Sequence, residues 1–260
     1  MKNITVIRGN DGFGSQLMSI ISGLAYAKTN NLNYFHTQLQ GIKLLDKNEL
    51  QNTDLEKANI LINDIIKNLG YSNYTNIEEC LSRPFYHDII YHEGTDKYYT
   101  DFFLNLLPKV YMMERPAFYD NSFNIAIHIR RGNDIFTDSD INARIVSNDV
   151  YENTIELLQK QYPTAKIHIF SWTDPNLKIK TNNVQFHITN SGDSFLNDFN
   201  ALVHSDILFV GSSTFSISAG FFCKGAVVCG PQFCKLHNTP IPTRWKINYK
   251  KMIENETFYV

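Results

Sequence analysis

No segment of the chain approaches the ~18–20 consecutive apolar residues that cross a bilayer, so the sequence predicts no integral membrane segment. Neither sign of charge is in excess: 24 Lys and Arg stand against 26 Asp and Glu, a net charge of −2. That balance excludes a general nucleic-acid binder held by a basic face, and any anion site must be a local cluster. Cysteine is scarce. Cys80 stands alone, and Cys223, Cys229 and Cys234 lie in or beside apolar sequence without C-x-x-C spacing. Buried free thiols are the reading, in place of disulfides or zinc ligands, and they point to a reducing, cytoplasmic location. The sequons at Asn3, Asn73 and Asn255 are then chance matches in an Asn-rich chain. The apolar run after Met1 is too short for a signal peptide and reads as a strand. The turn Gly9-Asn-Asp-Gly-Phe-Gly-Ser15 lacks both the Lys-Ser/Thr of a P-loop and the full spacing of a dinucleotide fingerprint.

What is present suits a globular α/β protein. Apolar residues make up 43% of the chain and aromatics 13%, enough for a substantial core in one large domain or two small ones. Residues 2–8 read as a strand, 9–15 as a glycine-rich turn, and the next stretch as a helix carrying Leu17, Ile20, Ile21, Leu24 and Ala25 at helical spacing. A second strand is expected at 33–37. A helix is expected over 55–70, with Gly70 as its C-cap. Pro116 and the polar run 119–122 mark a boundary, giving domains 1–118 and 119–260. In the second half, strands at 125–129, 166–172, 184–188, 207–211 and 226–230 alternate with helices at 146–163, 194–205 and 214–225. Such β-α alternation predicts a doubly wound parallel sheet with its ligand at the C-terminal strand ends.

Three chemically loaded turns fall on that edge. The strand Ile125–Ile129 ends in His128-Ile129-Arg130-Arg131-Gly132-Asn133-Asp134. Arg130 is in phase with Ala126 and His128, while Arg131 points the other way. A guanidinium is a planar fork suited to phosphate. The strand 166–170 ends in Ser171-Trp172-Thr173-Asp174. The strand 207–210 ends in Gly211-Ser212-Ser213-Thr214-Phe215-Ser216, which opens a helix. A helix N-terminus with hydroxyls and N–H groups favours an anion, and a plain N-cap is the ordinary use of the same residues. Asp138-Ser139-Asp140 is an acidic pair that could hold a divalent ion, but it sits in a polar loop and is read as solvated. No metal ligands and no cofactor are assigned.

Taken in order, these turns resemble the superfamily of α1,2-fucosyltransferases and protein O-fucosyltransferases. "GFGSQLMSIISGLAYAK" is similar to its G-x-G-N-Q motif, "HIRRGND" to its H-x-R-R-G-D signature, and "HIFSWTDPNL" to its F-S-D-D-P segment. "LNDFNALVHSDILFVGSSTFSISAGFF" is similar to its third motif, which ends in S-S-F-S. The matches span residues 9 to about 222 in family order. The resemblance implies a GT-B-like chain of two Rossmann-like domains with parallel sheets and a cleft between them. It implies transfer of L-fucose from GDP-fucose to a glycan hydroxyl, with inversion and without a metal. It places Arg130 on the donor diphosphate as the catalytic arginine and His128 beside it. Gly14, Ser15, Ser171, Trp172, Ser212, Ser213, Thr214 and Phe215 join the donor site, and Asp193 or Asp198 falls where an acid reads the guanine edge. Asp11, the carboxylate of the N-terminal glycine loop, is the candidate base. Ser15 stands where the family has Asn, Asn133 precedes Asp134 where it has Gly-Asp, and Trp172-Thr173-Asp174 replaces its Asp-Asp pair. The donor-binding half therefore carries the resemblance. Another donor, such as a rhamnose or UDP-sugar, and a binding protein that has lost transfer are the alternatives.

Overall fold

The structure is a computed structural model that describes residues 3–6, 12–39, 41–42, 52–73, 81–82, 86–131, 145–179, 182–188, 195–232 and 239–255. The chain divides into two compact units, Met1–Met112 with Asn238–Pro242, and Met113–His237 with Thr243–Val260. Each unit is built on a sheet of parallel strands.

In the first unit, β1 (Asn3–Thr5), β2 (Asn33–His36), β3 (Ser72–Asn73) and β4 (Leu81–Ser82) pair in the order β3-β2-β1-β4. Helix α1 (Phe13–Thr29) follows β1. Its apolar residues Leu17, Ile20, Ile21 and Leu24 are almost completely buried, as the 3.6-residue spacing requires. Helix α2 (Asn52–Asn68) ends as expected at Gly70. Gly70 has φ +82°, its N–H reaches the carbonyl of Lys67, and Tyr71 N–H reaches that of Ile66. Only glycine adopts that left-handed cap without strain. Helices α3 (Tyr86–Glu93), α4 (Thr95–Tyr98) and α5 (Asp101–Val110) complete the unit. Tyr26 of α1 packs against Tyr86 and Tyr98.

In the second unit, β5 (Asn124–Ile129), α6 (Asn148–Gln161), β6 (Lys166–Ser171), β7 (Val184–Ile188), α7 (Phe195–Val203), β8 (Ile207–Phe209), α8 (Thr214–Phe222), β9 (Ala226–Val228) and α9 (Thr243–Ile253) follow in sequence. The sheet order is β7-β6-β5-β8-β9. Counted within the unit, that is 3-2-1-4-5, the order of a Rossmann-type sheet, and it reverses direction between β5 and β8. One face carries Ile125, Ile127, Ile129, Ile167, Ile169, Ile207 and Phe209, packed with Tyr151, Ile155 and Leu158 of α6. Helix α9 is not among the elements expected from the sequence. Its mean hydropathy is low, yet Trp245, Asn248 and Met252 are buried on one side. Asn248 donates to the carbonyl of Val227, and Trp245 packs edge-on against Phe221 of α8.

Residues 114–118, assigned from the sequence to the first half, are anchored in the second unit. The carbonyl of Glu114 accepts from Asn200, Arg115 pairs with Asp206, and Phe118 packs on His187. The division falls between Met112 and Met113 and not between residues 118 and 119, because these polar and ring contacts pull the connecting segment onto its own sheet.

That segment covers a buried polar chain. Asn124 Nδ2 donates to the carbonyls of Asp120 and Ser122, so its Oδ1 faces His168 Nε2, 3.1 Å away. His168 Nε2 must therefore carry the proton, and His168 Nδ1 accepts from His187 Nε2 at 3.1 Å. Burial first, then the charges of His187 and Lys166, push the His168 pKa down to about 4, with Asp120 opposing; burial also lowers His187. The unfolded chain thus binds more protons than the folded one between roughly pH 4 and 6.5, and stability falls as pH falls through that window. For His168 alone the drop from 6.5 to about 4 is worth up to about 3 kcal/mol. Chemical denaturation of the wild type should show this acid loss, and His187→Gln, which still donates to His168 but cannot titrate, should remove only the share due to His187 and leave the part set by burial of His168. A pH-independent midpoint between 4 and 6.5 would contradict the assignment.

Candidate functional site

The switch between β5 and β8 decides which strand ends meet. Ile125, Ala126 and Ile127 register with Ile207, Leu208 and Phe209. The end of β5 and the residues just past it, His128 to Arg131, therefore run beside the turn 210–213 beyond β8. Gly211 lies so close to β5 that a Cβ there would stand 2.5 Å from the backbone oxygen of His128 and 3.5 Å from its Nδ1. Two segments some 80 residues apart in sequence are in van der Waals contact at the crevice where such sheets hold ligands.

The turn is ordered from within. Ser216 Oγ donates to the carbonyl of Ser213 and accepts from Gly211 N–H, and Ser213 N–H donates to the carbonyl of Gly211. Ser213 Oγ accepts from Phe215 N–H at 3.3 Å and caps α8. The ordinary N-cap role of Ser213 is thus realised. Ser212 and Ser213 are buried, Thr214 and Phe215 half-buried. The Phe215 ring packs 5.6 Å from that of His128 and 5.6 Å from that of Phe199 in α7. Helix α8 carries no acidic residue in its first turn, so its N-terminal field is not offset there.

His128 Nδ1 is buried and has no hydrogen-bond partner among the described residues. Burial, and secondarily the Arg130 charge, push its pKa down to about 3, so the ring is neutral at ordinary pH. It can offer one donor and one acceptor without adding charge. Ser171 ends β6, level with Ile129, and its buried Oγ likewise has no partner among the described residues. Native structures rarely leave buried polar atoms unmet, and two at adjacent strand ends mark a place a ligand could fill. Trp172 is half-buried just beyond.

Arg130 and Arg131 diverge as the strand alternation predicts. Arg131 follows the Ile127 and Ile129 face: its guanidinium lies 5.8 Å from the Tyr151 ring and donates to the carbonyls of Arg130 and Val146 and to Asn148 Oδ1. It is spent on the protein. Arg130 follows the opposite phase, on the side of His128.

Gly14 and Ser15 lie in the other unit, in the first turn of α1, where the Ser15 carbonyl accepts from Ser19. The following Gln16 donates to the carbonyl of Gly41. Asp198 sits in the first turn of α7, half-exposed, and its charge is felt at buried Tyr119. Asp11, Asp193, Asn133, Asp134, Asp138 and Asp140 lie outside the described residues. Sequence reasoning misses Asn148, which begins α6 and receives Arg131; a polar residue after Ser147 reads as helix-start chemistry, and nothing in the local pattern reveals a partner 17 residues away.

No helix among the described residues is long and apolar enough to cross a membrane. No family model matches the sequence, and no curated protein matches it significantly. Among solved structures the chain is similar to the fucosyltransferase NodZ from Bradyrhizobium, at 13% sequence identity and a TM-score of 0.44, over 89% of this chain and 96% of that one. It is also similar to a NodZ alpha-1,6-fucosyltransferase co-crystallised with GDP, at 12% identity and a TM-score of 0.37, over 84% and 92% of the two chains.

Proposed function

We propose that this chain is a glycosyltransferase that moves a sugar, L-fucose from GDP-fucose in the first instance, to a glycan hydroxyl with inversion and without a metal. The observation that carries the reading is the contact at the switch point. There the strand end bearing His128 and Arg130 meets the Gly211–Ser216 turn, over the N-terminus of α8. In the reaction the acceptor hydroxyl attacks the anomeric carbon as its bond to the diphosphate breaks. Negative charge grows on the leaving oxygens. Arg130 and the backbone N–H groups opening α8 stabilise that charge, and they do so best at the transition state, where it is largest. Neutral His128 and the Ser171 hydroxyl orient the nucleotide by hydrogen bonds. Asp11 is proposed to take the acceptor's proton; a carboxylate partly removed from water has its pKa raised toward the range a base needs.

A panel of nucleotides tests this. GDP should raise the melting temperature and UDP or ADP should not, the stabilisation reaching about 2.7 kcal/mol at a hundredfold excess over Kd. Transfer from GDP-fucose should proceed unchanged in excess EDTA. A UDP-specific shift would reassign the donor. A GDP shift without turnover on any glycan acceptor would make the chain a binding protein. A tenfold loss in EDTA, restored by Mn²⁺ or Mg²⁺, would make Asp138 and Asp140 ligands.

A further inference from the structure

Arg131 and Asn148 are tied into one bridge. Arg131 Nη1 donates to the carbonyl of Arg130 at 2.9 Å, and Nη2 donates both to the carbonyl of Val146 and to Asn148 Oδ1, each at 2.8 Å. Asn148 Nδ2 continues outward, to the carbonyls of Pro175 at 2.8 Å and Asn176 at 3.3 Å. Asn148 is the first residue of α6, yet its amide caps nothing in that helix: Ser147 is the N-cap, and no side chain serves there. Both polar ends of Asn148 are spent on joining other segments. Three pieces of chain at the C-terminal edge of the sheet are thereby locked together: the end of β5, the entry to α6, and the loop after β6. The first carries Arg130. The third follows Ser171 and Trp172. None of the gripped residues has a sheet ladder to hold it: Arg130 lies past the last paired residue of β5, Pro175 and Asn176 lie past that of β6, and the entry to α6 belongs to no strand.

We infer that Arg131 and Asn148 are positioning residues of the donor site, forming a clamp that sets the backbone of Arg130 and so the direction of its guanidinium. The inference rests on the proposed function, in which Arg130 holds a diphosphate. A guanidinium reads a phosphate through two parallel N–H bonds, and that geometry tolerates little backbone drift. The clamp acts at one remove. It grips the Arg130 carbonyl and not the Arg130 side chain.

A double-mutant cycle tests it, because residues acting through one another fail to add. GDP dissociation constants are measured for the wild type, Asn148→Ala, Arg130→Ala and the double variant, on folded protein at a temperature well below each melting point. Asn148→Ala should weaken GDP binding about tenfold in the wild-type background and less than twofold once Arg130 is gone. A merely structural residue would weaken binding by the same factor in both backgrounds, and that outcome would overturn the clamp while leaving the donor-site reading intact. Arg130→Ala binding GDP as well as the wild type would overturn the donor-site reading, and the clamp's purpose with it. Should Asn148→Ala fail to fold, Asn148→Asp serves. It still accepts from Arg131 but cannot donate to Pro175 and Asn176, and it should show the same non-additivity with a smaller factor; equal factors again count against the clamp.

Discussion

Arg130→Ala should lower turnover with GDP-fucose by roughly 30- to 1,000-fold, the equivalent of about 2–4 kcal/mol of transition-state stabilisation, as loss of an oxyanion-type donor does. The physical basis is position. Arg130 lies one residue beyond the buried strand β5, on the side of His128, and the turn opening α8 lies against that same strand end. On the proposed function, a cation there would meet leaving-group charge beside the buried ends of β5 and β8, where a charge–charge interaction is worth more than in bulk water. Arg130→Lys should recover little, since one ammonium cannot reproduce two parallel N–H bonds to a phosphate. Single-turnover rates at saturating donor separate this loss from weaker binding. Activity of the alanine variant within threefold of wild type would remove Arg130 from the chemistry.

Gly211→Ala should cost about 1–3 kcal/mol of stability and abolish measurable GDP binding together. The added methyl would stand 2.5 Å from the His128 backbone oxygen, and that oxygen belongs to the central strand of the sheet. Relief has to come from the turn, which would swing α8's first residues and the internal bonds of Ser213 and Ser216 out of register with Arg130. Gly225→Ala is the matched control. Its methyl would stand 2.3 Å from the backbone oxygen of Asp206 and 2.4 Å from that of Ser205, a clash more severe than at Gly211, but at the start of β9 and so at the opposite edge of the sheet. It should lower the melting temperature at least as much and leave the GDP dissociation constant of the folded protein unchanged. Normal GDP affinity in Gly211→Ala would show that the turn after β8 is not part of the site.

Much of this is legible in local sequence pattern. Short apolar runs bounded by turn residues locate most strands of the second unit to within a few residues, because a strand buried on both faces has little other way to be written. Gly70 marks the end of α2, since a left-handed cap disfavours residues with a Cβ. The phase of Arg130 against Arg131 is also legible, because period-two geometry separates neighbours whatever they touch. Helix α9 escapes because its buried face is only Trp245, Asn248 and Met252 on an otherwise polar, basic segment.

What the sequence by itself determined, then, is most of the elements of the second unit, the parallel α/β class, and the residues at the ends of those strands. Local periodicity reports which side of an element is buried, and turn chemistry reports where it stops. Neither reports who its neighbour is. Only the tertiary structure decided that β8 and not β7 lies beside β5, that Gly211 therefore rests on His128, and that residues 114–118 fold onto the second sheet. It alone turned Arg131 inward onto Asn148 and the carbonyl of Val146. These are long-range choices. They are made by packing, and by the need to give each buried polar group a partner, between segments that carry no local mark of one another.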